Sequence, residues 1–146
     1  MEINGLPAHA LLVHLVVVLL PLTAVAAIVV SAWPAAQRKL SFLVPLGAVV
    51  GAVAVPITTR AGEDLAKQIG NPPFIDKHVG YGDMVLPWAV ALAVTTLAQW
   101  LYLRRDGSTR VPRIVLAVLV IASALGTATI VALTGDSGAR AVWGNR

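Results

Sequence analysis

Residues 8–32 read AHALLVHLVVVLLPLTAVAAIVVSA, an apolar run broken in its length by His14, Pro21 and Thr23. It exceeds the roughly 20 residues that cross a hydrocarbon core about 30 Å thick at about 1.5 Å per residue. Three further runs of this kind follow: residues 40–59 (LSFLVPLGAVVGAVAVPITT), residues 84–103 (MVLPWAVALAVTTLAQWLYL) and residues 111–134. They predict an all-α integral membrane protein, a four-transmembrane-helix bundle making one transmembrane domain of residues 1–146. Nothing between the runs is long enough to form a separate domain.

Composition points the same way. Charged residues supply 12% of the chain and apolar types 58%, where a soluble domain carries about a quarter charged residues. The lipid bilayer is therefore the first partner. The formal charge of +4 comes from scattered Lys and Arg without a dense basic run, which argues against nucleic acid. The absence of Cys removes disulfides, thiolate nucleophiles, iron–sulfur ligation and Cys-based zinc sites. No GxSxG elbow, HExxH helix or Walker loop occurs, so the sequence offers no catalytic residue and does not read as an enzyme. Ala24, Val25 and Ala26 imitate a signal-peptide cleavage site. Such a peptide opens with a positive region, however, and here the first basic residue is Arg38, so the run at 8–32 reads as a mature helix.

The connectors set the orientation. Arg38 and Lys39 lie in the first, and Arg104, Arg105, Arg110 and Arg113 in the third. The opposite face holds Arg60, Lys67, Lys77, Arg140 and Arg146 together with Glu2, Glu63, Asp64, Asp76, Asp83 and Asp136. The denser basic connectors mark the cytoplasmic side, which places both termini outside. Trp33, Trp100 and Tyr102 then fall at the inner boundary, and Tyr81, Trp88 and Trp143 at or near the outer one, where amphipathic rings are favoured.

Pro21, Pro45, Pro56 and Pro87 lie in or at the ends of the spans, where a membrane bundle tolerates them. Gly47 with Gly51, and Ala122 with Gly126, form small-xxx-small steps that let helix backbones approach; ordinary packing within the chain explains them. A faint duplication is visible. His9 to His14 precedes the first span and its Leu20-Pro21, as His78 to Asp83 precedes the third and its Leu86-Pro87. The second and fourth spans run out through residues 59–62 (TRAG) and 135–138 (GDSG). Two repeated helical hairpins about an axis along the membrane normal fit this pattern. In the second, outer loop, Ala61, Leu65 and Ile69 at four-residue steps and a Glu63–Lys67 pair predict a short amphipathic helix on the membrane surface, stopped by Asn71-Pro72-Pro73. Ser137 and Thr134 beside Asp136 read as a helix-ending turn.

Function is to be sought among the polar residues of the outer face. His9, His14 and His78 all map there, with a polar cluster of Arg60, Glu63, Asp64, Asp83, Asp136 and Arg140. An ionisable group inside a span costs about 2.5–3.5 kcal/mol when charged and central, so His14 should face a partner, Asp83 or Glu63. Three chemistries use such residues. A divalent metal site would draw on His9, His14, Glu63, His78 and Asp83, the ligand types zinc or iron accepts. His9 and His14 point about 140° apart on a continuous helix, so that site needs His9 outside the helix or ligands from several segments. Bis-histidine haem b would draw on His14 and His78, which requires His78, expected in the loop, to reach matching depth. Proton or solute transport is disfavoured, because the central third of every span lacks an ionisable residue.

Residues 4–14 (NGLPAHALLVH), 56–63 (PITTRAGE), 78–83 (HVGYGD) and 134–143 (TGDSGARAVW) together resemble the bacterial four-helix membrane family catalogued as domain of unknown function 2231. The resemblance covers almost the whole chain and singles out His9, His14, Glu63, His78, Asp83 and Asp136. It implies a multi-pass protein of a bacterial plasma membrane, its Ala/Val-rich composition resembling the actinobacterial branch, and supplies no activity. The expectation is a non-catalytic accessory or assembly subunit that partners other membrane-protein subunits, with a respiratory electron-transfer supercomplex as host by analogy and no cofactor of its own. The rival is a haem b or metal-binding protein acting in electron transfer.

Overall fold

The computed structural model describes residues 2–3, 6–40 and 42–144. Two two-residue strands, β1 (Glu2–Ile3) and β2 (Leu6–Pro7), pair antiparallel ahead of the first helix. The helices are α1 (Ala8–Ala32), α2 (Pro34–Leu40), α3 (Leu43–Gln68), α4 (Asp76–Leu103) and α5 (Arg110–Trp143). All but α2 are long and apolar enough to cross a membrane, and the protein is a multi-pass membrane protein. Helix is the form that such sequence takes in lipid, where each backbone N–H and C=O must find its partner within the segment.

The four spans form a ring in which α1 and α4 each pack on both α3 and α5, while α1 and α4 face each other across a diagonal and scarcely touch. Small buried side chains at Ala24, Ala27, Ala48, Ala54, Ala89 and Ala124 bring the axes together around the fully buried Leu20, Leu92, Val120 and Val131. Gly51 receives Leu20 and Gly47 receives Thr23, so the GxxxG step of α3 is spent on α1 within the same chain. On α5 the expected step divides: Gly126 lies under the six-membered ring of Trp88, whereas Ala122 faces outward. Trp88 thus packs between α4 and α5, about 15 Å along the helix from His78. Serine and threonine hydroxyls in the bundle donate back to carbonyls of the preceding turn, as Thr58 does to Ala54 and Thr96 to Leu92.

At one end the helices run well past the apolar cores read from sequence. The segment expected as a separate surface helix is the last two turns of α3. Ala61 is buried, so its four-residue spacing with Leu65 serves the bundle interior instead of a membrane surface. α3 stops where Gly70 takes φ +82° and Asn71 φ +49°, and Asn71 N–H closes onto Ala66 O at 2.8 Å. A single 3₁₀ turn, Pro73–Ile75, then feeds α4, which places His78 inside a helix and not in a loop. Residues 134–137 do not end α5 either: Ser137 Oγ donates to Thr134 O within the continuing helix, which runs to Trp143. At the other end α2, folded from residues read as a plain connector, follows directly on α1, with Gln37 N–H bonded to Trp33 O at 3.0 Å and Ala36 in the core.

Candidate functional site

The extended end of the bundle brings two histidines together. In an α-helix the carbonyl of residue i accepts from the N–H of residue i+4, and the side chain of i+4 leans back over the same carbonyl. A glycine at i+4 leaves the carbonyl's second lone pair open to a group from outside. α3 offers this arrangement at Thr58 and Gly62, and α5 repeats it at Thr134 and Gly138. His9 Nδ1–H donates to Thr58 O at 3.1 Å, its ring against Gly62, where a Cβ would stand 2.9 Å from Nδ1. His78 Nδ1–H donates to Thr134 O at 3.0 Å, its ring against Gly138, where a Cβ would stand 3.0 Å away. The same contact is made once by α1 on α3 and once by α4 on α5.

Because a carbonyl only accepts, both rings carry their hydrogen on Nδ1, and Nε2 of each has no hydrogen-bond partner among the described residues. The rings meet across the α1–α4 diagonal with centroids 6.2 Å apart and planes at 81°. Both are partly buried. Two imidazoles are thereby held, each oriented through Nδ1 by a backbone carbonyl, with their remaining nitrogens available.

The other expected residues are placed differently. His14 is exposed, and its Nδ1 bonds Ala10 O one turn back in its own helix rather than Asp83 or Glu63. The ring pair is accordingly His9 with His78, and His9 lies within α1, not ahead of it. Glu63 and Asp83 are exposed, and among the described residues no group of three or more His, Asp or Glu comes close enough to hold a metal ion. Arg60, Glu63, Asp64, Asp83, Asp136 and Arg140 are each exposed, so the expected cluster is a solvated rim. Its one ion pair among the described residues is Arg140 Nε to Asp136 Oδ2 at 2.8 Å, an exposed i,i+4 contact of little energetic weight.

Sequence reading quoted the segments around Gly62 and Gly138 but missed the T-x-x-x-G register that both share. It also missed Gln99 and Ser31, which bond across α4 and α1 near the opposite end, Gln99 Nε2 donating to Ser31 Oγ at 3.1 Å.

No curated protein and no solved structure matches the chain. The family model described as "Predicted membrane protein (DUF2231)" matches residues 5–146. That match takes in both histidines, both T-x-x-x-G segments and all four spans, and the chain belongs to the DUF2231 family of membrane proteins.

Proposed function

We propose that the protein is a bis-imidazole carrier in which His9 and His78 would hold a b-type haem, which would supply one-electron transfer at one surface of the membrane. The observation that carries this reading is the ring pair, each Nδ1–H fixed on a carbonyl and each Nε2 uncommitted. Ligand histidines are held in this way, the second nitrogen's hydrogen bond setting tautomer and orientation. Stoichiometry favours haem over zinc, since structural and catalytic zinc sites take three or four protein ligands and haem iron takes one or two.

The histidine end faces the outside in this reading, and the membrane is the plasma membrane of a bacterium. Support comes from the dense Arg and Lys of the connectors at the opposite end.

The test is a reduced-minus-oxidised absorption spectrum, with elemental analysis, of the protein purified in mild detergent. A b-type band lost in His9→Ala and in His78→Ala but kept in His14→Ala is expected. A colourless protein without metal, copurifying with larger oxidoreductase subunits, would overturn the reading in favour of an accessory subunit.

A further inference from the structure

A second feature, independent of the histidines, lies at the opposite end. There α1, α2, α3 and α4 line an open-sided cavity of about 200 Å³. Its polar wall holds Gln37, Arg38, Gln99 and Arg104, and its apolar wall includes Val30, Val44 and Leu103. The two arginines are exposed, and among the described residues neither has a carboxylate partner. Arg104 is held in place, its guanidinium carbon 4.7 Å from the centre of the Trp100 ring, and Trp100 is braced in turn by Phe42 with ring centres 5.8 Å apart. Gln99 is buried and fixed by Ser31.

We propose that this cavity binds the phosphodiester headgroup of an anionic phospholipid. Two guanidiniums without a carboxylate partner among the described residues and the carboxamide of Gln37 are hydrogen-bond donors, and together with positive charge they specify an anion with several acceptor oxygens. The volume falls below the about 300–1,000 Å³ of sites that engulf a drug-sized ligand, so the pocket takes a headgroup and leaves the acyl chains outside. A lipid is the source, rather than free phosphate, because the apolar wall is made by spanning helices whose outer faces meet the acyl region. The flanking Lys39, Arg105, Arg110 and Arg113 raise the local concentration of anionic lipid without entering the cavity.

The experiment is native mass spectrometry and thermal unfolding of the full chain in detergent, with dioleoyl-phosphatidylglycerol, dioleoyl-phosphatidylcholine or inorganic phosphate added. Phosphatidylglycerol should be retained as a one-to-one adduct and should raise Tm, while the other two should do neither. The Arg38→Gln/Arg104→Gln variant, altered only at exposed positions, should bind phosphatidylglycerol at least about tenfold more weakly. Arg110→Gln/Arg113→Gln, which loses the same charge outside the cavity, should weaken binding far less. Equal weakening by both variants would make the effect diffuse attraction and overturn the site. Equal retention of phosphatidylcholine would overturn the headgroup selectivity, and stabilisation by phosphate alone would overturn the lipid source.

Discussion

The ring of His9 lies on Gly62 so closely that a single added carbon would stand 2.9 Å from its Nδ1, and His78 stands in the same relation to Gly138. Gly62→Ala or Gly138→Ala should therefore displace the imidazole. The energetic change should be small: a lost hydrogen bond costs about 0.5–1.5 kcal/mol, and replacing a helical glycine returns about 1 kcal/mol. Tm should stay near that of the parent while the slowly exchanging Nδ1–H signal of the affected histidine, read by NMR on ¹⁵N-imidazole-labelled protein, disappears. Gly80→Ala and Gly135→Ala, which meet open space, should leave that signal intact.

Trp88 and Gly126 give the opposite balance. A Cβ at Gly126 would stand 2.1 Å from the indole ring, and the backbone behind that ring is tied to α5 by Thr127 Oγ1, which donates to Trp88 O at 3.0 Å. Gly126→Ala should cost about 1–3 kcal/mol of stability by overpacking. Trp88→Ala should remove most of that penalty, giving a favourable coupling in a double-mutant cycle read by unfolding in detergent.

At the far end, Ser31→Ala leaves the buried carboxamide of Gln99 without its partner on α1. Interhelical hydrogen bonds in membrane proteins couple by about 0.6 kcal/mol on average and up to about 1.7. A Ser31→Ala/Gln99→Leu cycle should show a coupling in that range, with both single variants less stable than the parent.

Orientation is open to cysteine labelling because the chain has no cysteine of its own. In intact cells a membrane-impermeant maleimide should modify Glu63→Cys and spare Arg105→Cys. Modification of both, or only of Arg105→Cys, would reverse or dissolve the topology.

The spans were legible because lipid imposes one demand on every residue in them, and runs such as 8–32 and 111–134 meet it throughout. The likeness between the segments around His9 and His78 was legible for a related reason, since the polar residues near a span's end are few enough for a shared pattern to show. What composition hid were choices made by single contacts. Ala61 joined the core instead of a membrane surface because α3 continued beneath it, and that continuation carried Gly62 to His9. Residues 76–78 became helical once the 3₁₀ turn after Pro73 set their direction, which brought His78 out of a loop and into reach of Thr134. His14, the histidine deeper in the first apolar run, was the natural choice from sequence. Its bond to Ala10 shows how a helix can satisfy an imidazole locally without any second segment. The cavity beside Arg38 could not be foreseen, because it depends on the fold of α2, whose residues read as a plain connector.

The juxtaposition of His9 and His78 is the claim on which the functional account rests, and it can be measured in the cysteine-free background. In native membranes a short bifunctional maleimide should cross-link His9→Cys/His78→Cys within one chain in high yield and His14→Cys/His78→Cys poorly, as read by mass spectrometry of the intact monomer. Preferential cross-linking of the 14/78 pair, or none at 9/78 while each cysteine reacts singly, would contradict the paired arrangement.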